Sequence, residues 1–199
     1  MLPRSFYFLR HGETDWNKQG LMQGHTDIPL NDTGRAQACA AVAALSRLPI
    51  DRPIDRIVAS PLARAYETAE IVNSVLQKPL VTDAGLKERH FGSMEGVTHM
   101  EMDRQRSIWM VDGSLAVEEN GYPCPPAAEP YGVFKARALA AFTRHLAAAE
   151  DGNVLFVAHG GVYRVLRRCL FTELDHSANA RPFYFEKVEA GLWRLADLT

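Results

Sequence analysis

Cysteine is scarce in this sequence, with 3 in 199 residues. Cys39, Cys124 and Cys169 lie far apart and form no C-x-x-C pair, which argues against a disulfide framework or a thiolate zinc site and leads us to expect a reducing, cytoplasmic setting. An excess of either charge is also missing: 22 Lys and Arg stand against 24 Asp and Glu, a formal net charge of −2. Without a basic face there is no electrostatic footprint for nucleic acid or an anionic membrane, so any anion must be captured locally. No apolar run approaches the ~20 residues that span a bilayer. The first apolar stretch, from Phe6 to Leu9, is too short for a secretion signal. The expectation is a soluble, unprocessed chain. H-E-x-x-H, G-x-S-x-G, any G-x-G pair and any Gly-Lys dipeptide are absent, so zinc proteolysis, the serine-hydrolase elbow, Rossmann cofactor binding and P-loop hydrolysis lose support.

What is present is ordinary globular material, 47% hydrophobic and 23% charged, enough for one core without disulfides. One domain over 1–199 is expected. Ser5 to Leu9 reads as a buried strand, because its aromatic and aliphatic residues follow one another without polar alternation. Asn31, Asp32 and Thr33 offer caps for a helix with Ala36, Cys39, Ala40 and Ala43 as its apolar stripe. Ile54 to Ala59 is a second strand, closed by Ser60-Pro61 and followed by Ala65, Thr68, Ala69, Val72 and Leu76 at helical spacing. Asn153 to Ala158 repeats the unit, with His159-Gly160-Gly161 leading into Val162, Val165, Leu166 and Cys169. Repeated strand, cap and helix predict an α/β fold: a three-layer α/β/α sandwich on a largely parallel sheet. Phe134 to Ala149 adds an amphipathic helix, and Phe183 to Val188 with Leu192 to Leu195 a closing hairpin around Ala190-Gly191. The stretch from Val97 to Val133 breaks the rhythm and contains G-Y-P-C-P-P-A-A-E-P, so a lid-like insertion folding over the sheet edge is expected there.

Ligands of open α/β sheets bind beyond the carboxyl ends of the strands. There the first strand delivers Arg10-His11-Gly12, the second Ser60-Pro61 and then Arg64, and the late strand His159-Gly160-Gly161. A lone histidine or arginine in such a place is usually a satisfied polar group or a surface charge. Three strand ends with matching chemistry describe instead a crevice for a dianion such as phosphate. His25, His90, His99, His145 and His176 have no comparable support. Histidine attacks phosphorus only when neutral, and two arginines with a second histidine lower its pKa. The same cations stabilise the transferring oxygens, so neither a metal ion nor a cofactor is expected. A leaving alkoxide still needs a proton, which a carboxylic acid beside the bridging oxygen would supply.

L-R-H-G-E-T-D-W-N, L-M-Q-G-H-T-D-I-P-L-N-D-T-G, S-P-L-A-R-A-Y-E-T-A, L-K-E-R-H-F-G-S-M-E-G and V-A-H-G-G together resemble the histidine phosphatase superfamily, the branch of phosphoglycerate mutases and their phosphatase relatives. The resemblance spans most of the chain. It implies the phosphoglycerate mutase-like fold, with His11 as the nucleophile that becomes phosphohistidine and Arg10, Arg64 and His159 as a phosphate clamp. It further implies Glu88 as proton donor, Asn17 as a phosphate-binding residue and Gly160 as a backbone contributor, with Gln23 and Thr14 as weaker pocket candidates. Glu95 is read as a supporting or structural carboxylate, and Glu13 and Asp15 as residues that hold the loop.

The reaction type stays open between two readings within the enzyme class. The compact chain, A-H-G-G-V in place of the mutases' A-H-G-N-S, and F-G-S-M-E-G resemble the phosphatase branch. P-A-A-E-P-Y, with Glu129 at the acidic position of that branch's G-G-E-S segment, is a further likeness to it, whereas E-R-H-F-G is also close to the mutase form and the two usual glycines before Glu129 are here Ala127 and Ala128. Metal-independent hydrolysis of a small phosphorylated metabolite is the first reading, and mutase-type transfer the alternative. A phosphate-binding module without turnover is the reading from another class. Trp109, Tyr122 and Tyr131 either line the pocket or anchor the insertion. A monomer and a homodimer are both compatible with the sequence.

Overall fold

The strand from Phe6 to Arg10, β1, has buried side chains on both faces, as an unbroken apolar run requires inside a parallel sheet. Phe6 and Phe8 pack to one side with Phe142, Phe156, Tyr163 and Phe185. Tyr7 and Leu9 pack to the other with Ala41, Ile57, Ala69 and Val157. The computed structural model describes residues 2–48, 52–149, 152–171, 177–189 and 191–199. His176 and Ala190 lie outside them. The remaining strands are β2 (Ile54–Ala59), β3 (Leu80–Thr82), β4 (Asn153–Ala158), β5 (Pro182–Glu189) and β6 (Leu192–Asp197). Their order across the sheet is β3-β2-β4-β1-β5-β6, with β1 to β4 parallel and β5 and β6 joined antiparallel at one side.

The helices are α1 (Asp15–Lys18), α2 (Asp32–Leu45), α3 (Ala63–Leu76), α4 (His99–Asp112), α5 (Tyr131–Ala147) and α6 (Gly160–Leu170). Helices α2 and α3 cover one face of the sheet, and α5 and α6 the other, giving the expected three layers. Asn31 caps α2 by accepting from the Gly34 N–H at 2.8 Å. The stripe expected on α2 is displaced, however: Ala36, Cys39, Ala40 and Ala43 are exposed, while Gly34, Ala38, Ala41 and Leu45 are buried. Alanine on every face leaves composition unable to choose, and backbone contact chooses instead. A Cβ on Gly34 would stand 2.1 Å from the Glu13 carbonyl oxygen, and one on Gly12 2.3 Å from the Gly34 oxygen. Cys169, expected on the buried stripe of α6, is likewise exposed, and that face runs through Gly161, Val162, Val165 and Leu166.

Three elements, α1, β3 and α4, lack a legible periodic signal. α1 and β3 are only 4 and 3 residues long, too short to show one. α4 buries only Met102, so its apolar residues form no stripe. It is defined by its ends: the Thr98 side chain accepts from the Glu101 N–H, and Gly113 closes the helix with φ +67°. No helix among the described residues is long and apolar enough to cross a membrane.

Candidate active site

Register brings the functional strand ends level. Arg10 lies opposite Ala158, and Ala59 opposite Val157, so His11, Ser60 and His159 leave the sheet from three adjacent strands. The His11 ring is 3% exposed, with Nδ1 at 2.7 Å from the Gly12 carbonyl oxygen. A carbonyl only accepts, so Nδ1 carries the hydrogen and Nε2 the lone pair. The His159 ring centroid lies 5.2 Å away, with its Nε2 at 2.7 Å from Ser60 Oγ. Burial pushes the pKa of both rings well below the histidine range; Arg64 adds to it in each, as does Arg10. Both are neutral at neutral pH.

Two cations face these rings. Arg64, in the first turn of α3, is 1% exposed and donates to the carbonyls of Gly24 at 2.8 Å and Thr26 at 3.1 Å. The loop supplying those carbonyls is tied down by Glu95, which accepts from the N–H groups of His25, Thr26 and Phe91 and from Thr26 Oγ1. Arg10 donates to the Ser177 carbonyl at 2.6 Å. Burial and then Arg164 bring Arg10 down to about 10, so it remains a cation at neutral pH. Both guanidinium groups are thus held by carbonyls, and Nε of each is buried without a partner among the described residues.

Glu88 approaches from the loop after β3. Its Oε2 accepts the Gly161 N–H and its Oε1 the Arg89 N–H, each at 2.8 Å. Gly161 is required there: a Cβ would fall 1.9 Å from Glu88 Oε1. Behind the loop, Arg137 donates to the carbonyls of Gly85, Lys87 and Glu88 and forks onto Glu129 at 2.6 and 2.7 Å.

These side chains enclose a cavity of about 70 Å³, with room for a phosphate-sized group, lined by Arg10, His11, Asn17, Gln23, Arg64, Glu88 and Gly160 among others. It opens into a cleft of about 640 Å³ between α4, the 120–131 stretch and α6. Arg10, Met22, Glu88, Phe91, His99 and Arg164 line both. Glu88 therefore stands at the junction. A separate groove of about 810 Å³ beside α2 is lined by no histidine, aspartate or glutamate side chain among the described residues. Among the described residues no group of three or more His, Cys, Asp or Glu is placed to hold a metal ion.

Residues 6–183 match the sequence model of the histidine phosphatase superfamily, branch 1. The chain belongs to that superfamily. It is 39% identical over 194 residues to the agropine synthesis reductase of Rhizobium rhizogenes, a match that covers 92% of this chain but only 39% of that protein's length. To the glucosyl-3-phosphoglycerate phosphatase of Mycolicibacterium vanbaalenii it is 34% identical over 174 residues, covering 85% of this chain and 75% of the relative. A solved structure of a mycobacterial glucosyl-3-phosphoglycerate phosphatase superposes with a TM-score of 0.77 at 28% identity, covering 98% of this chain and 97% of the other.

Most of the residues picked out in the sequence meet at one place. Seven of them line the small cavity, and His159, fully buried, stands beside His11 and lines neither cavity. Asn17 Oδ1 accepts from the Thr14 backbone and hydroxyl and from Asn179, which leaves its Nδ2 as the donor for an anion. Thr14 is absorbed in the cap of α1 and lines neither cavity. Glu129 is also absent from both linings, its carboxylate taken by Arg137. Tyr122 and Tyr131 line the cleft, whereas Trp109 packs with Met22, Phe91 and Met102. Segment 97–133 contributes its residues beside Arg10 and Gly161, at the ends of the central strands rather than at the sheet edge. Sequence reading missed His99, Arg106 and Arg164. Only Arg164, one helical turn after Gly160, carried a signal that could have found it.

Proposed function

We propose that this histidine phosphatase hydrolyses a small phosphomonoester through a phosphohistidine on His11. The observation that carries the reading is the Nδ1 bond to Gly12, which fixes the tautomer and presents a neutral Nε2 beside Arg10 and Arg64. Nε2 attacks phosphorus, the bond to the ester oxygen breaks, and Glu88 hands its proton to the leaving oxygen. Water then attacks phosphorus, Glu88 takes its proton, the P–N bond breaks and His11 returns. Arg10, Arg64, Asn17 Nδ2 and the amide at Gly160 stabilise the equatorial oxygens throughout, and neutral His159 stands beside the nucleophile. Position supports the role of Glu88, since the junction of the two cavities is where an ester oxygen would sit with its phosphate in the smaller one. Segment 97–133 acts as the cover of the organic half. The phosphatase relatives support hydrolysis over transfer, and glucosyl-3-phosphoglycerate joins sugar phosphates and phosphoglycerates among the substrates to assay.

The test compares wild type with His11→Ala on p-nitrophenyl phosphate and a panel of phosphorylated metabolites. Released phosphate should fall by on the order of 10³ or more in the variant, and an acid-labile, alkali-stable phosphoryl label should appear on wild type alone. Undiminished release by His11→Ala would refute the phosphohistidine, and isomerisation of phosphoglycerates with little release would make the protein a mutase.

A further inference from the structure

We propose that the 640 Å³ cleft selects phosphomonoesters bearing a second anionic group, a carboxylate or another phosphate, and that Arg164 is the residue that reads it; this rests on the small cavity being the phosphate site. Five arginines line the cleft, Arg10, Arg89, Arg106, Arg164 and Arg168, against two carboxylates, Glu88 and Asp103. Three of the five are already engaged. Arg10, which lines the small cavity as Arg164 also does, is tied to the Ser177 carbonyl at 2.6 Å, Arg89 is bonded to Glu118 at 2.6 Å, and Arg106 lies 3.3 Å from Asp103. Arg164 and Arg168, one turn apart on α6, have no carboxylate partner among the described residues.

Crowding separates Arg164 from an ordinary surface arginine. A Cβ on Gly160 would lie 3.5 Å from Arg10 Cζ and 3.8 Å from Arg164 Nη1, so two like charges share the space over one glycine. Burial first, and the Arg164 charge in addition, lower the pKa of Arg10, His99 and Arg106. Such repulsion is relieved when an anion arrives. The dianion in the small cavity meets Arg10 and Arg64, and Arg164, which lines both cavities as Glu88 does, faces the next group of the substrate past the ester oxygen. Arg106, over the Tyr122 ring at 4.8 Å with Nε buried and without a partner among the described residues, and Arg168, over Tyr131 at 5.5 Å, border the same space. Guanidinium forks suit carboxylate and phosphate alike.

Matched substrates test this. We would measure kcat/KM for 3-phosphoglycerate against glycerol 3-phosphate, 6-phosphogluconate against glucose 6-phosphate, and fructose 1,6-bisphosphate against fructose 6-phosphate. Wild type should favour the member with the extra anion by about tenfold or more, chiefly through KM, the size of one charge-assisted contact. The first two pairs report a carboxylate and the third a phosphate. Arg164→Met should bring the ratio toward one, and Arg164→Lys should restore part of it. A wild-type ratio near one in all pairs, or a preference that survives Arg164→Met, would overturn the assignment. His11-dependent turnover of p-nitrophenyl phosphate tests the phosphatase reading separately. Calorimetric titration of the His11→Ala protein with 3-phosphoglycerate and glycerol 3-phosphate reads the subsite without turnover: tighter binding of the acid supports it, and equal binding counts against it.

Discussion

Glu88 is held so that each of its oxygens keeps one lone pair: Gly161 and Arg89 N–H groups take the others. A residue fixed in this way can pass a proton without reorganising, which is what general acid catalysis asks of it. Glu88→Gln keeps the size of the side chain but has no acid proton to give, and its NH₂ can no longer accept one of the two N–H bonds. Stability should fall by about 1 kcal/mol for that bond. Activity should divide by leaving group. Hydrolysis of glycerol 3-phosphate should drop by on the order of 10²-fold or more, whereas p-nitrophenolate leaves without protonation and should suffer far less. Steady-state kinetics on the two esters decides it. Equal losses would remove Glu88 as the donor and direct attention to His99, which also lines the small cavity.

Helix α2 positions the nucleophile's loop by close backbone contact, with the Gln37 side chain also accepting from the Glu13 N–H at 2.9 Å. Gly34 presses on Glu13 and Gly12 on Gly34, and the Gly12 N–H donates to Thr68 Oγ1 at 3.0 Å, whose hydroxyl in turn donates to the Arg64 carbonyl. Gly34→Ala must move the loop next to His11, so it should cost about 1–3 kcal/mol and lower kcat/KM as well. Gly132 in α5 has no neighbour within 4 Å of a Cβ; Gly132→Ala should be neutral or stabilise by up to ~1 kcal/mol. Denaturant midpoints of the two variants check the contrast, and equal effects would mean that the α2 contact is slack. The same elements show what was legible in the sequence. β1, β2 and β4 announce themselves because each buried run stops at residues unsuited to continue it, and their ends hold the site. The rotation of α2 is hidden, since alanine looks alike on every face. Thr68 reads as one of an apolar stripe, yet its hydroxyl links two active-site backbones. Arg106 acquires meaning only when α4 and α6, distant in sequence, meet across one cleft.

Burying two neutral histidines beside two arginines couples the stability of the whole chain to pH. The unfolded chain binds a proton on each near pH 6.5, whereas folded His11 and His159 have pKa values pushed well below that, first by burial and then by Arg64. With more protons bound in the unfolded state, stability rises with pH between the folded and unfolded pKa values and is lost as pH falls below about 6.5. Each ring contributes a slope of about 1.4 kcal/mol per pH unit in that window. His25 and His99, lowered by burial but less enclosed, act in the same sense. Glu95 and Glu129 belong to a separate window: burial raises them, but hydrogen bonds outweigh it and leave both depressed, so their contribution persists above the unfolded carboxylate pKa and fades only in stronger acid. Chemical denaturation between pH 7.5 and 5 should therefore show stability falling on the acid side while kcat/KM retains its neutral nucleophile well below pH 6.5. His11→Ala should lose about one ring's share of the stability slope. A wild-type profile flat across that range would mean that the two rings take up protons in the folded protein as readily as in the unfolded one, and the neutral nucleophile would fall with it.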